Sequence, residues 1–360
     1  MKIAIIGLAN SGKTTVFNAL TRGTAETTSY ASGQLEPNIA TVKVPDQRLN
    51  MLAQMFDPKK NTPADVQYVD VGGLSSGAGQ SGGLPPALLN YIGGADALLH
   101  VARAFEDEGV AHPEGSVNLA RDIESVDLEL AFSDMAIIER RLAKLNAEIG
   151  KTASKDRELR TAERDLLVVL LKELEDGKPI RDVELNDEQE RLLRGYQFLT
   201  AKPMLLVLNI SEAQLKNPPE FAYAHRSSDV VALSGKVEAE LAQLDDEDAS
   251  AFMEDLGIST AARDRAISLS YGLLGLISFL TAGPDEVRAW TINRNTPAVE
   301  AAGAIHSDIQ RGFIRAEIVA YDDLIKAGGM TEAKKLGTVR MEGKTYIVKD
   351  GDVCHFLFNV

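Results

Sequence analysis

The residues with the clearest chemical meaning lie near the start of the chain, in Gly7-Leu8-Ala9-Asn10-Ser11-Gly12-Lys13-Thr14. Glycines at such positions let the backbone wrap an anion and point its N–H groups inward. A lysine placed like Lys13 reaches the β- and γ-phosphates of a nucleoside triphosphate, and a hydroxyl placed like that of Thr14 coordinates Mg²⁺. The pattern therefore predicts a phosphate-binding loop, or P-loop, to which Ser11 and Thr15 also contribute.

The segments on either side of this loop support the same prediction. Residues Lys2–Gly7 form a short apolar run, and Thr14–Leu20 has the apolar spacing of a helix. A strand that passes through a glycine loop into a helix also brings the positive end of the helix dipole to the phosphates. We therefore expect a strand, a loop and a helix that together bind a nucleotide.

A second chemical group follows the apolar run 66–71. Asp70 lies at the end of this predicted strand, where a carboxylate can hold Mg²⁺, usually through water. The spacing Asp70-x-x-Gly73 is typical of a switch loop whose glycine N–H meets the γ-phosphate, although six glycines between 72 and 83 also fit a plain flexible loop. In Ras-like proteins a glutamine then orients the attacking water, and here Leu74 takes its place. This difference predicts slow hydrolysis, or another residue that positions the water.

Base recognition should depend on the end of a later strand. The run 204–209 leads into Asn209-Ile210-Ser211-Glu212, where a guanine-specific protein would carry Asn-Lys-x-Asp. The lysine is absent, and the Glu212 carboxylate extends one methylene further than that of an aspartate, which disrupts pairing with the guanine edge. The pattern argues against strict guanine specificity and does not by itself establish adenine.

Five apolar runs predict a mostly parallel sheet that is covered by helices; they are 2–7, 66–71, 97–101, 204–209 and 229–234. Between the third and the fourth run, apolar residues recur every three or four positions in two stripes, 128–149 and 159–174, separated by a polar break. Two such stripes predict an antiparallel helical hairpin of the coiled-coil type. The fold class is therefore α/β, with a helical insertion in the nucleotide-binding domain.

The C-terminal part of the chain has a different character. Strand and turn signals in 290–292, 312–317 and 345–352 surround a helical pattern at Ala298–Ile305, which predicts a small α+β domain. The predicted division is 1–121 with 200–276 for the nucleotide-binding domain, 122–199 for the helical insertion and 277–360 for the C-terminal domain.

The composition restricts the function classes. Lys and Arg number 38 against 53 Asp and Glu, so the net charge is −15. Binding driven by counterion release needs a basic surface, and we therefore expect no role in sequence-specific or general DNA binding. No run of eighteen apolar residues occurs, which predicts no membrane span. The single cysteine, Cys354, is typical of a reducing compartment, and we expect a cytoplasmic protein.

Two further histidines are predicted to be structural. His100 lies within the apolar run 97–101 and is expected in the core. His306-x-Asp308 offers only two ligands with no third in sight, which favours a structural role over a metal site.

Four motifs together resemble the YchF / Obg-like ATPase family of translation-factor-related P-loop proteins. The loop 7–14 resembles the GLPNVGKS loop of that family, and Glu36-Pro37-Asn38 with Val44-Pro45-Asp46-Gln47-Arg48-Leu49 resembles its EPN and VPDxRL motifs. Asn209-x-x-Glu212 is similar to its altered base-recognition motif. The segments 302–314 and 351–360 resemble its C-terminal TGS domain, which has a ubiquitin-like sheet.

The resemblance implies a preference for ATP over GTP, with the base contacted by Asn209, Ile210, Glu212 and Ser234. It also implies that a loop histidine positions the attacking water beside Lys13, and His112 matches it, although from the residues alone His112 could equally be a solvated loop histidine. Asn10 matches an asparagine that is linked with K⁺-dependent catalysis in related GTPases. A TGS domain implies the ribosome or another RNA-containing partner in translation.

Three departures from the family motifs bear on turnover. Ala9 replaces a proline, Gln34 stands where a threonine would offer a hydroxyl to Mg²⁺, and the loop 75–81 lacks the lysines of the family. Two hypotheses therefore stay open: a slow ATPase, and a nucleotide-gated binding module with negligible hydrolysis. A P-loop kinase would need an arginine-bearing lid, whereas the insertion carries apolar stripes.

Overall fold

The computed structural model describes residues 1–23, 37–71, 84, 86–151, 154–258 and 261–359. Gln34, Gly73 and Leu74, as well as the loop 75–81, lie outside these residues. The described chain divides into two compact units, which we call the first unit (1–40 and 67–273) and the second unit (41–66 and 274–360).

The strands of the described chain, in sequence order, are β1 Lys2–Ile6, β2 Asn38–Lys43, β3 Lys60–Thr62, β4 Asp65–Asp70, β5 Ala97–Arg103, β6 Met204–Asn209, β7 Ser228–Leu233, β8 Leu276–Ala282, β9 Glu286–Asn293, β10 Phe313–Ala320, β11 Arg340–Glu342 and β12 Asp352–Phe358.

The α-helices are α1 Lys13–Thr21, α2 Gln47–Phe56, α3 Pro86–Gly93, α4 Leu119–Glu148, α5 Ser154–Glu175, α6 Asp187–Leu193, α7 Gly235–Leu241, α8 Asp246–Leu256, α9 Ala262–Leu273, α10 Ala298–Ile305, α11 Ser307–Arg311, α12 Tyr321–Ala327 and α13 Met330–Lys335. Short 3₁₀ turns occur at Ile149–Lys151, Ile180–Asp182 and Glu212–Gln214. None of the helices described combines the length and the apolarity needed to cross a bilayer.

The sheet of the first unit has the strand order β2-β4-β1-β5-β6-β7. Strands β4, β1, β5, β6 and β7 pair in parallel, so the predicted parallel sheet is confirmed. The central strands β5 and β6 are buried along their whole length, which explains their nearly continuous apolar sequences. Because the strands are parallel, their carboxyl ends meet at one edge of the sheet.

Helices α4 and α5 pack against each other through a shared core that includes Ile138, Leu145, Leu167 and Leu170. The predicted stripes differ from this core at their first members, since the side chains of Leu128 and Leu159 are 44% and 53% exposed. The start of α4 packs on the sheet instead, through residues such as Val126 and Leu130. The start of α4 therefore packs on the sheet and its later part packs on α5. A single periodic stripe does not describe the buried residues of this helix.

A buried carboxylate fixes α4 to the segment that leads into β6. Asp134 is fully buried and accepts hydrogen bonds from the Leu199 N–H at 2.9 Å, the Thr200 N–H at 2.8 Å and the Thr200 hydroxyl at 2.7 Å. Burial raises the pKa of Asp134 to about 6, against the effect of these hydrogen bonds. The helical pair is thereby anchored at a polar point inside an apolar interface.

The second unit contains a sheet with the strand order β11-β10-β12-β8-β9-β3. Its central strands β8 and β12 are parallel, and each has an antiparallel partner, β9 and β10. Helix α10 buries its alanines on one face of this sheet. Two parallel central strands, antiparallel outer strands and one crossing helix are the ubiquitin-like arrangement, so the predicted α+β fold of the C-terminal part is confirmed.

Residues 41–66 belong to the second unit, whereas the sequence-based division placed them in the nucleotide-binding domain. Strand β3 pairs with β9, and α2 packs against β8 and β9 with Leu49 and Leu52 buried. Arg48 bonds to Asp46 and Asp350, and Asp350 accepts the Ser278 N–H at 2.9 Å. The apolar spacing of α2 predicts burial of one face, but it does not specify which sheet will cover that face.

We expect Asp134→Ala to lower the free energy of unfolding by about 3 kcal/mol, because it leaves two buried N–H groups and a hydroxyl without an acceptor. Thr200→Val removes one of the three hydrogen bonds to Asp134 and also the 3.3 Å bond that the Ile180 N–H donates to the Thr200 hydroxyl, and it should cost about 1.5 kcal/mol. Urea unfolding followed by circular dichroism measures both. Equal losses in the two variants would contradict the anchoring role of Asp134.

Candidate functional site

The loops that carry the predicted site residues lie at the carboxyl edge of the first sheet. They follow β1, β4, β5, β6 and β7, which are neighbours in the strand order. In open parallel sheets, ligands bind at this edge because the loops there diverge and leave a crevice. The fold therefore brings together residues that are far apart in sequence.

Two glycines of the loop between β1 and α1 have no room for a side chain. The φ angles of Gly7 and Gly12 are +148° and +87°, a region that favours glycine. A Cβ on Gly7 would lie 2.4 Å from the Val101 carbonyl oxygen, and one on Gly12 would lie 2.2 Å from Nδ2 of Asn209. The loop thus packs directly on β5 and on the end of β6.

Lys13 is the first residue of α1 and is almost completely buried. Its Nζ donates a hydrogen bond to the Leu8 carbonyl oxygen at 2.6 Å. Burial lowers the pKa of Lys13 to about 8, and the charge of Asp70 opposes this shift. The buried ammonium has one loop carbonyl as its acceptor. An anionic oxygen would stabilise its charge more strongly, and a phosphate supplies such an oxygen.

Thr14 and Asp70 form the predicted metal site. The Thr14 hydroxyl donates to Oδ2 of Asp70 at 2.9 Å, and Nδ2 of Asn38 lies 3.5 Å from the same oxygen. Burial raises the pKa of Asp70, while Thr14, Asn38 and Lys13 oppose the shift. Sequence analysis did not single out Asn38 as a site residue, since a polar residue at a strand start carries no specific signal.

The residues at this point fit Mg²⁺. A hydroxyl and a carboxylate are the hard oxygen ligands that Mg²⁺ accepts, and in nucleotide sites it is completed by phosphates and water rather than by a protein cage. The residues that the structure describes contain no cluster of three or more His, Cys, Asp or Glu side chains that could hold a metal by itself.

Asn209 connects the phosphate loop to the start of α7. Its Nδ2 donates to the Ser11 carbonyl oxygen at 3.0 Å, and its Oδ1 accepts the Gly235 N–H at 3.0 Å. Both ends of the amide are therefore occupied by the protein. In this structure Asn209 braces the loop, and its predicted contact with the base stays a prediction.

The other predicted base contacts differ in their surroundings. Glu212 is exposed at the start of a 3₁₀ turn, where its carboxylate is accessible to a ligand. The Ile210 side chain is buried in the core beside Leu208, so a contact with the nucleotide would come from its backbone, and the predicted contact stays a prediction. An apolar residue next to Asn209 is drawn into the core because the chain is still leaving the sheet at that point.

Two hydroxyl groups of the site have unused hydrogen-bonding capacity. Ser11 and Ser234 are each about 98% buried or more, and neither Oγ has a hydrogen-bond partner among the residues that the structure describes. Buried polar atoms normally have partners in the protein, in water or in a ligand. Thr15, in the first turn of α1, lies close to Gly235 and completes the predicted set.

His112 lies in the loop between β5 and α4, but its ring is not solvated. The side chain is only 5% exposed, its Nε2 lies 3.1 Å from Oδ2 of Asp122, and its Nδ1 accepts the Glu114 N–H at 3.1 Å. Nδ2 of Asn10 donates to the Ala111 carbonyl oxygen at 3.0 Å. The loop of His112 is thus held both by the phosphate loop and by α4.

Arg103, at the end of β5, also shapes this loop and was missed in the sequence. Its guanidinium donates to the Val110 and Phe105 carbonyl oxygens at 2.9 and 3.1 Å and stacks 4.5 Å from the centroid of the Phe105 ring. A basic residue directly after a buried strand, at the carboxyl end, is the signal that could have revealed it.

The two histidines that were predicted to be structural, His100 and His306, make structural contacts. His100 is buried in β5, where burial is the main cause that lowers its pKa to about 3, so that it is neutral. His306 precedes α11, and its Nδ1 accepts the Asp308 N–H at 3.2 Å, which is a local capping contact.

Comparison with known proteins supports the geometry. A family model described as a 50S ribosome-binding GTPase matches residues 2–138, and the YchF-GTPase_C model, described as a protein of unknown function, matches residues 276–359. The chain is 42% identical to the ribosome-binding ATPase YchF of Bacillus subtilis, with 99% of this chain and 98% of that protein covered.

The chain belongs to the YchF / Obg-like ATPase family. It is also 36% identical to Obg-like ATPase 1 of Caenorhabditis elegans, over 100% of this chain and 92% of that protein. The solved structure of the YchF GTPase of Schizosaccharomyces pombe matches with a TM-score of 0.82 at 28% identity, covering 99% of this chain and 97% of that one. The resemblance inferred from the motifs is thus confirmed, and so is the fold class of this YchF-family chain.

We expect Asn209→Asp to weaken nucleotide binding by about tenfold, because a carboxylate can still accept the Gly235 N–H but cannot donate to the Ser11 carbonyl. Isothermal titration calorimetry measures the change. Asn217→Asp makes the same chemical change at an exposed position and should leave binding unchanged. Equal affinities for the wild type and Asn209→Asp would show that the brace does not shape the phosphate loop.

Proposed function

We propose that this YchF-family chain binds Mg·ATP in preference to Mg·GTP and hydrolyses it slowly, so that its nucleotide state is communicated to a partner in translation. The observation that carries the proposal is the cluster at the carboxyl edge of the first sheet. There, Lys13, Thr14 and Asp70 lie together beside a loop in which Gly7 and Gly12 have no room for a side chain.

The phosphate-binding part of the proposal assigns a role to each group of this cluster. Lys13 exchanges the Leu8 carbonyl for phosphate oxygens, the N–H groups of 10–14 surround the phosphates, and the Ser11 hydroxyl is free to join them. Thr14 and Asp70 would hold Mg²⁺, which neutralises phosphate charge when it is bound. Gly73, which would meet the γ-phosphate, lies outside the described residues, and its role is carried over from the motif alone.

The base preference rests on the end of β6. Asn209 uses both ends of its amide within the protein, and Glu212 presents an exposed carboxylate in a turn held by the Gln214 side chain. This turn lacks the lysine and the shorter aspartate that a guanine-specific site requires. Support for ATP comes also from the relatives, which are named ATPases.

His112 is the group that we assign to placing the attacking water, since Leu74 cannot do so. The imidazole lies beside the phosphate loop, among the residues that line a small cavity with Leu8, Ala9 and Ser11. In the structure both of its nitrogens are engaged, so it must turn out of this position to meet water. That requirement supports slow turnover.

The alternative is a nucleotide-gated binding module with negligible hydrolysis. The engaged state of His112 favours it, together with Leu74 and Gln34, which remove two groups that assist hydrolysis in other P-loop proteins. In that reading the nucleotide changes the conformation, and cleavage is not part of the cycle.

The partner and the location follow from the relatives and from the second unit. Relatives of the chain in bacteria are named ribosome-binding ATPases, and the ubiquitin-like second unit is the domain that the family associates with RNA or the ribosome. We therefore propose the ribosome as the partner and the cytoplasm as the location.

Asn10 is proposed to support K⁺ dependence.

We expect ATP to bind about tenfold more tightly than GTP, and Glu212→Ala to narrow this difference, because the carboxylate contributes to base selection. Calorimetric titrations with both nucleotides, in K⁺ and then in Na⁺ buffer, provide the measurement. Glu220→Ala removes another exposed carboxylate downstream of β6 and should preserve the preference. Tighter binding of GTP by the wild type would overturn the assignment of ATP.

We expect His112→Ala to reduce single-turnover ATP hydrolysis at least tenfold with unchanged ATP affinity, because it removes the group that orients water. His306→Ala, at an exposed position in the second unit, serves as the control and should hydrolyse ATP at the wild-type rate. If the wild type cleaves no ATP with or without ribosomes, the binding-module alternative is correct.

A further inference from the structure

The loop between β5 and α4 is held by hydrogen bonds at several of its residues. Arg103 holds the carbonyls of Phe105 and Val110, and Asn10 holds the carbonyl of Ala111. The side chain of His112 follows directly and is bound to Asp122. Such a series of directed contacts defines one conformation of this loop.

We propose that Asp122 is a positioning residue that holds His112 withdrawn from the nucleotide, so that the start of α4 controls when His112 becomes available. The inference rests on the proposed role of His112 and adds its regulation. It assigns a function to a carboxylate on the first helix of the helical pair, which lines the same small cavity as Leu8, Ala9 and Ser11 of the phosphate loop.

The ring of His112 cannot act on water where it lies. A neutral imidazole has one donor and one acceptor nitrogen. Nδ1 accepts the Glu114 N–H, so it carries no proton, and the proton on Nε2 points to Asp122 at 3.1 Å. With both nitrogens engaged and only 5% of the side chain exposed, neither nitrogen is free to orient a water molecule. The position is therefore an inactive one.

Asp122 is held at the start of the helix, and the Arg121 guanidinium that binds it also donates to the Ser116 carbonyl oxygen of the loop. Its Oδ1 accepts two hydrogen bonds from the Arg121 guanidinium, at 2.9 and 2.7 Å, and its Oδ2 accepts the Asn118 N–H at 3.2 Å. Asn118 in turn caps the first turn of α4 by accepting the Arg121 N–H. The carboxylate is thus an ordered part of the helix start, and His112 must separate from it before its Nε2 can bind another group.

The same contacts connect His112 to the long helix α4. Helix α4 runs for 30 residues from Leu119 to Glu148, and α5 packs along it. A shift or rotation at the start of α4 changes the separation between Asp122 and His112 directly. The proposal therefore requires a second arrangement of the start of α4, which binding of a partner to the helical pair would favour and in which His112 is released.

Asn10 provides the second point of attachment, on the side of the nucleotide. It has a left-handed backbone with φ +59° in the phosphate loop and donates to the residue before His112. Nucleotide binding at the phosphate loop and movement of α4 therefore act on adjacent residues, 111 and 112. The withdrawn histidine is held between the two.

The first experiment compares Asp122→Asn, His112→Ala and the double variant in single-turnover ATP hydrolysis without ribosomes. Asparagine keeps the shape of the side chain and removes its charge, so we expect Asp122→Asn to hydrolyse ATP about three- to tenfold faster at unchanged ATP affinity, the change that loss of one such hydrogen bond allows. The double variant should be as slow as His112→Ala, because the gain acts through His112.

Glu124→Gln removes an exposed carboxylate from the same turn of α4 and is the matched control, with an expected rate equal to that of the wild type. An Asp122→Asn rate equal to or below that of the wild type overturns the proposal, since Asp122 would then be neutral or would orient His112 productively. Acceleration that persists in the double variant also overturns it.

A second experiment uses the wild-type chain and does not depend on the folding of a variant or on ATP cleavage. Diethyl pyrocarbonate modifies accessible imidazoles, and mass spectrometry resolves each histidine. We expect His112 of the nucleotide-free chain to react at least tenfold more slowly than His306, whose side chain is 63% exposed. Equal reaction rates would mean that the withdrawn position is not populated, and the proposal would fail.

The two experiments separate this proposal from the proposed function. If the wild type and all variants leave ATP uncleaved, the hydrolytic function fails, while protection of His112 from modification still supports the withdrawn position. If ATP is cleaved and His112 reacts freely, the hydrolytic function stands and the role of Asp122 is wrong.

Discussion

The candidate site depends above all on the backbone shape of the loop 7–14, because phosphates are bound by N–H groups that any sequence carries and only their direction is specific. That shape is imposed by close packing. Side chains at Gly7 and Gly12 would collide with Val101 and Asn209, so the loop lies directly on the ends of β5 and β6. Asn209 then fastens it to the start of α7 with one amide. These contacts are possible because the strands are parallel, so that the loops after five of them lie at the same edge of the sheet.

The electrostatics of the site follow from burying charged groups close to that loop. Burial lowers the pKa of Lys13 and raises that of Asp70, and each charge opposes the shift of the other. The Lys13 ammonium donates a hydrogen bond to the Leu8 carbonyl oxygen, and the Asp70 carboxylate accepts one from the Thr14 hydroxyl. These neutral partners are weaker than a phosphate and a cation would be. The arrangement is thus stable by itself and is further stabilised by a charged ligand.

Under the proposed function, binding and catalysis depend on different elements of this chain. Phosphate and metal groups are rigid parts of α1 and β4, whereas His112 lies in a loop whose position is set by Asn10, Arg103 and Asp122. Binding can therefore be strong while hydrolysis waits for a conformational change. Further along, Asp134 fixes the same helix to the segment that leads into β6.

The sequence by itself determined the phosphate loop, the parallel strands, the helical pair, the C-terminal α+β fold and the pairing of Thr14 with Asp70, because local spacing and period specify these features. It also carried enough motif detail to indicate the family. Only the tertiary structure decided that Ile210 faces the core, that Asn209 is a brace, that 41–66 join the second unit and that His112 is buried against Asp122. Each of these depends on which distant segment covers a residue, and neither the type of a side chain nor its neighbours in sequence contain that information.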